Sequence, residues 1–349
     1  MNQTLHRGRR LPAEWEPQDA VLLAWPHRNS DWADILDEVL PVYLELTRQI
    51  SRFERVIIIT PEPEVVREQL TRAAIVIDQI HLLNIATNDT WIRDFGPITI
   101  FDNGQPRLLD FGFNGWGLKF AADRDNQVTR LLTLSPLLSA TAVATVGLIL
   151  EGGSIESDGN GTLLTTSTCL LNPNRNPHLT KVQLESELCK LFGDQHFLWL
   201  DHGWLAGDDT DAHIDTLARL CPDDTILYVR CDDPQDEHYP EFQRMEEQLR
   251  SFRTRQGNPF KLVALPWPQA QYAETRRLPA TYANYLIING AVLVPCYHDE
   301  KDSEALAVMT ECFSDRKVLG IDCRPLIKQH GSLHCATMQL PSGVVACQQ

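Results

Sequence analysis

P-I-T-I-F-D-N-G-Q-P-R-L-L-D-F, residues 97–111, sets an alternating apolar segment on each side of Asp102-Asn103-Gly104. Asn and Gly tolerate the left-handed backbone of a tight turn, so the stretch predicts a β-hairpin. Three more stretches repeat the pattern. Ser157-Asp158-Gly159-Asn160-Gly161 lies between G-S-I-E and T-L-L-T-T-S-T-C-L-L, Pro222-Asp223-Asp224 between H-I-D-T-L-A-R-L and T-I-L-Y-V-R, and Asn289-Gly290 between Y-L-I-I and A-V-L-V-P.

Helical patterns separate the hairpins, over Asp31 to Phe53, Thr180 to Phe192, Tyr239 to Arg255 and Ser303 to Phe313. Short apolar strands such as R-V-I-I-I-T and K-L-V-A-L-P accompany them. Hairpin-plus-helix modules set round an axis would form an α/β propeller, which leaves few exposed sheet edges. An open α/β sheet also alternates strands and helices, but local hairpins demand antiparallel pairing that crossover connections do not give.

Composition bounds the function. With 349 residues, 43% of them hydrophobic, the chain can bury a large core, and no linker divides it, so residues 1–349 are expected to form one domain. Met1 to Arg10 is polar and basic and lacks an apolar core, and no later segment is long and apolar enough to span a bilayer, so a cytoplasmic protein with no membrane partner is expected. The formal charge of −16 argues against a nucleic-acid surface and suits a cationic substrate. Nine cysteines, at 169, 189, 221, 231, 296, 312, 323, 335 and 347, show neither a C-x-x-C knuckle nor a disulfide framework and are expected to be reduced and mostly buried.

The polar landmarks are W-I-R-D at 91–94, E-G-G at 151–153, H-I-D at 213–215 and G-S-L-H-C at 331–335. Asp94, Glu151 and His213 each stand just before or at the opening of a hairpin, and Cys335 opens the last strand-like segment, H-C-A-T-M-Q-L. If these ends match, residues distant in sequence point at one centre. His213 and Asp215 share a face if their segment is extended and oppose each other if it is helical; the following turn favours extended. Asp94 is expected in a turn leading into a strand, and the paired glycines after Glu151 permit close approach by a backbone or a ligand. Trp91 can pack on a flat cation or belong to the core. G-D-D-T-D-A-H-I-D lacks the register of a calcium loop. A thiol to attack carbon, an imidazole to move protons and several carboxylates to hold a cation suit chemistry on a guanidinium group.

Together these residues resemble the agmatine deiminase and bacterial, Porphyromonas-type peptidylarginine deiminase family of the guanidino-group-modifying superfamily. The resemblance runs through L-P-A-E-W-E-P at 11–17, L-A-W-P at 23–26, T-N-D-T-W-I-R-D-F-G-P at 87–97 and F-N-G-W-G at 113–117. It continues through E-G-G-S-I-E-S-D-G-N-G-T at 151–162, C-L-L-N-P-N-R-N-P at 169–177, D-D-T-D-A-H-I-D at 208–215 and L-H-C-A-T at 333–337. It implies a five-bladed pseudo-symmetric α/β propeller (the pentein fold) with mixed short sheets and outer helices, and metal-independent, cofactor-free hydrolysis of a guanidine. By the same resemblance Cys335 is the nucleophile, His213 the general acid and base, Asp94 and Asp215 the clamp on the guanidinium, and Glu151 the partner of His213 or of the cation. Trp91, Trp116 and Asp209 join Asp94 and Asp215 as substrate-binding candidates. The implied reaction converts agmatine and water to N-carbamoylputrescine and ammonia, a step of putrescine synthesis, and a homodimer is compatible with the family.

This chain departs from the usual agmatine deiminase pattern: it reads Thr210-Asp211-Ala212-His213-Ile214-Asp215 for T-N-G-H-V-D, Thr166-Ser167-Thr168-Cys169 within the third motif, and Gly331-Ser332-Leu333 before the His-Cys pair. A peptidylarginine or other guanidine deiminase and an amidinotransferase stay open within the same thiol chemistry. A cysteine amidase and a non-catalytic binding propeller stand outside it. Several carboxylates beside a developing oxyanion argue against the amidase.

Overall fold

The computed structural model describes residues 8–138 and 141–346, and five sheets share one pairing pattern, an antiparallel pair extended by a parallel strand. The first joins Ile98–Asp102 and Gln105–Gly112, antiparallel, to Ala142–Ile149, parallel. The second is Ile155–Ser157, Thr162–Thr166 and His196–Leu200; the third is Ala218–Cys221, Thr225–Val229 and Lys261–Leu265. The fourth is Leu286–Ile288, Ala291–Cys296 and Lys317–Asp322. All four predicted turns join the paired strands expected of them, and a parallel third strand follows each hairpin, so the sheets are mixed.

The fifth sheet is assembled from both ends of the chain. Thr337–Pro341 pairs antiparallel with Gln18–Ala24, which continues in parallel to Arg55–Thr60 and Ile80–Asn84. Ala20 to Ala24 and Val56 to Ile59 are wholly buried, as expected for strands covered on both faces.

Helices lie close to the predicted spans. Leu36–Ile50 buries Val39, Val42, Tyr43, Leu46 and Ile50, and Lys181–Phe192 starts from a capping box in which Thr180 and Gln183 satisfy each other's backbone N–H groups. Tyr239–Ser251 ends before the predicted Arg255, and Asp302–Cys312 covers the last span. A contiguous core of buried side chains draws on these five sheets, and a two-stranded ribbon, Gln271–Ala273 with Arg276–Leu278, lies apart from them in the pairing.

Among the described residues no helix is long and apolar enough to cross a membrane. Most of Met1 to Arg10, and Cys347, lie outside the described residues; Arg9–Arg10 form a short strand beside Ile98–Asp102. The eight described cysteines are free thiols, of which 189, 296 and 312 are partly exposed.

Candidate active site

The polar landmarks sit in turns that precede the antiparallel strands. Asp94 lies in the short helix Ile92–Phe95, Glu151 just before the 3-10 turn Gly152–Ser154, and His213 and Asp215 at the 3-10 turn Ile214–Thr216. The extended reading of His213 to Asp215 is therefore corrected. Thr216 bonds back to the His213 carbonyl through both its N–H and its hydroxyl, which curls the backbone before the strand begins. Cys335 likewise precedes its strand, which starts at Thr337, because Ala336 and Thr337 donate back to Ser332 and His334 and keep the segment in a turn.

Gly152 and Gly153 bring these turns together. A Cβ on Gly152 would stand 2.1 Å from the Arg93 carbonyl oxygen, so only glycine admits that backbone. A Cβ on Gly153 would stand 2.7 Å from His213 Nδ1, 2.9 Å from Asp94 Oδ1 and 3.0 Å from Asp215 Oδ2. Three functional atoms thus surround one missing methyl group. Cys335 Sγ lies 3.8 Å from Asp215 Oδ2, and Asn284 Nδ2 donates to it at 3.3 Å.

All of these side chains are buried. Asp94 accepts from the Gly153 N–H at 2.9 Å and from Trp116 Nε1 at 2.9 Å, while Arg93 turns the other way, to Gln339. Burial, with Asp215 and Glu151 adding to it against His213 and Trp116, raises Asp94 to about 6. Asp215 Oδ2 accepts from His334 Nδ1 at 2.8 Å, while Oδ1 has no partner among the described residues.

His213 Nδ1 lies 3.6 Å from Asp94 and Nε2 3.8 Å from Glu151, too far for hydrogen bonds. Burial would lower this histidine, but Asp94, Cys169 and Glu151 outweigh it and hold it well above the usual range. Glu151 receives Arg175 Nε at 2.8 and 3.1 Å, and Arg175 is pinned in turn to Asp211 at 2.6 Å and to the Thr210 carbonyl at 2.9 Å. Burial, then Asp215 and Asp94, push the Cys335 thiol far up, so it holds its proton when no cation is beside it.

A cleft above the thiol is lined by Trp91, Trp116, Phe120, Asp31, Asp89 and Asp209, among others. Trp91 is wedged between Trp32, with ring centroids 5.5 Å apart, and Gly331, whose Cβ would stand 2.6 Å from the indole. Trp116 packs edge-on between Phe113 and Phe120. Burial raises Asp89 to about 7, and it raises Asp209 against the lowering effect of His330.

Among the described residues two groups of ligand-type atoms converge, Glu151 with Cys169 and His213, and Glu14 with Glu156 and His334. In each an arginine, Arg175 or Arg219, already pairs with the carboxylates, so these acids are counter-ions of fixed guanidinium groups.

The structure brings Cys335, His213, Asp94, Asp215 and Glu151 into one cluster and sets Trp91, Trp116 and Asp209 along its entrance. Sequence reasoning missed Asn284, Arg175, His334 as a partner of Asp215, and the acids Asp31 and Asp89. Asn284 was findable: it stands before the fourth hairpin, where the other modules carry their polar landmarks.

The sequence model of the family described as Porphyromonas-type peptidyl-arginine deiminase matches residues 10–341. Agmatine deiminase of Pseudomonas aeruginosa (strain UCBPP-PA14) is 32% identical, with 96% of each chain covered. A candidate arginine deiminase from Porphyromonas gingivalis is 48% identical and superposes with a TM-score of 0.92, covering 97% of this chain and 100% of that one. A Cys-to-Ser variant of C. jejuni agmatine deiminase with substrate bound is 40% identical, with a TM-score of 0.90 over 96% of this chain and 97% of that one. An amidinotransferase from Microseira wollei, 10% identical with a TM-score of 0.51, shares the mixed α/β fold alone, over 96% of this chain and 98% of that one.

Proposed function

The chain belongs to the Porphyromonas-type peptidyl-arginine deiminase family, and from that membership and the pocket we propose that it hydrolyses the guanidine of agmatine to N-carbamoylputrescine and ammonia. The observation that carries this reading is the charge layout: a buried thiol and imidazole flanked by Asp94 and Asp215, under a cleft with aromatic walls and three more acids at 31, 89 and 209. A linear dication places its guanidinium among the inner carboxylates and its terminal ammonium near the outer acids. Agmatine deiminases among the relatives support the same substrate.

Asp94 and Asp215 hold the guanidinium nitrogens, and the free Oδ1 of Asp215 is an acceptor ready for an N–H. The arriving cation offsets the two carboxylates that keep Cys335 protonated, so the thiol gives up its proton to solvent and the thiolate forms beside the carbon it attacks. The new S–C bond gives a tetrahedral adduct. His213, protonated through its acidic neighbours, gives its proton to the departing nitrogen and ammonia leaves, forming an amidino-thioether. His213 then takes a proton from water as the oxygen attacks the same carbon. Collapse breaks the C–S bond and releases the ureido product. Glu151, fastened by Arg175, sets the field that keeps His213 charged.

We read the five sheets as blades of a pseudo-symmetric propeller in one catalytic domain, with the turns before the hairpins meeting at its centre. The test is an ammonia and ureido-product assay on agmatine, free arginine and a blocked arginyl peptide. Turnover is expected with agmatine, and turnover of the peptide alone would overturn the substrate. Cys335→Ala is expected to abolish ammonia release while agmatine still binds.

A further inference from the structure

Asp215 is held by the residue before the thiol. His334 Nδ1 lies 2.8 Å from Asp215 Oδ2 and Nε2 lies 2.7 Å from Glu14 Oε2, so the buried ring bridges two carboxylates. Glu14 is itself fixed: Oε2 accepts from Arg219 Nη2 at 2.9 Å and Oε1 from the Ile287 N–H at 2.7 Å. Arg219 pairs through Nε with Glu156, donates through Nη1 to the carbonyls of Ala283 and Tyr285, and lies over the Tyr285 ring. The His334 backbone N–H donates to Asn284 Oδ1 at 2.9 Å, which ties the ring to the residue that donates to the Cys335 sulfur.

A carboxylate with one oxygen tied has its rotamer fixed. We propose that His334 is a positioning residue: by occupying Oδ2 of Asp215 it leaves Oδ1 for the substrate guanidinium, and Glu14, anchored on Arg219, holds the imidazole in that pose. The N-terminal segment thereby sets the geometry of a group on the far side of the sequence. This inference rests on the guanidine reading of the pocket.

The groups facing Asp215 are His334, Cys335, His213 and Asp94, with Arg219 behind His334 and the charges of Arg93 and Glu156 also felt there. Burial would raise Asp215, but the hydrogen bond and charge of His334, with His213 and Arg219, outweigh it and hold the acid below its usual range. Loosening His334 lets burial prevail, so Asp215 takes its proton at higher pH and the acid limb of kcat/KM moves upward.

Steady-state pH profiles and thermal melts of wild type, His334→Gln, His334→Ala and Glu14→Gln test this with agmatine. His334→Ala and Glu14→Gln are expected to raise KM about tenfold or more and to move the acid limb up, a loss of the size measured for truncated charge pairs. His334→Gln keeps a donor and is expected to recover part of KM. Folded variants with the wild-type KM and acid limb overturn the inference, as does a loss of activity that tracks the melted fraction at constant KM. If the wild type turns over no guanidine, the functional reading falls and this inference with it.

Discussion

Two fully buried charge clusters lie side by side in this molecule, and they are built on opposite principles. Around Arg219 the charges are paired: each guanidinium nitrogen donates, to Glu156, to two carbonyls or to Glu14, and His334 closes the network onto Glu14. Around Gly153 they are not. Both nitrogens of His213 and one oxygen of Asp215 lack hydrogen-bond partners among the described residues, and Asp94 is pushed up to about 6 by the burial it endures. Polar atoms buried without partners are costly, so a fold that keeps them needs compensation elsewhere. The paired cluster acts as scaffold, and the open one is poised for a ligand that brings the missing donors.

Breaking the paired side is expected to have the largest effect. Arg219→Met leaves Glu14 and Glu156 buried without their cation and should cost about 3–5 kcal/mol of stability, read as a fall in the denaturant midpoint. A midpoint near wild type would erase the contrast. On the open side, Asp94→Asn removes a charge that burial disfavours. It should cost about 10²–10³ in kcat/KM, the scale of a truncated buried ionic contact, with a melting temperature at or above that of wild type. A marked drop in melting temperature would make Asp94 a scaffold residue.

A smaller effect sharpens the same distinction. Because Asp94 is raised to about 6 in the free protein, kcat/KM should fall about tenfold per pH unit below that point. The sign follows from the shift: a raised carboxylate loses its charge earlier on acidification than an ordinary aspartate near 4. The limb for kcat should lie lower, since bound cation favours the ionised form. The smallest effect belongs at the cleft's edge. Lys119 Nζ bridges the Asp209 carbonyl and Asp211 Oδ1, and as a partly exposed tether Lys119→Ala should change KM by no more than about fivefold.

The hairpins were legible because Asn-Gly and Asp-rich turns flanked by apolar runs encode local backbone geometry, and all four formed where those signals lie. The fifth sheet was not, since Thr337–Pro341 and Gln18–Ala24 carry no local sign that they pair across the whole chain. At the site, residue types announced the chemistry, but backbone shape misled: His213 and Cys335 lie in turns made by side-chain and backbone bonds to the residues just behind them, not in strands. Arg175 escaped notice because its significance lies in the partner it reaches, Glu151, whereas Asn284, which reaches the Cys335 sulfur, stands where the other modules carry their landmarks.

The seam between the two ends of the chain has a temporal meaning. Ribosomal synthesis delivers Asp94, Glu151, His213 and Asp215 before Cys335, and the strand beside the thiol has to dock onto one made long before it. A nascent polypeptide thus holds its counter-charges before the Cys335 sulfur can join them. Such a long-range pairing is a slow step by its topology, so maturation should be paced by that docking event.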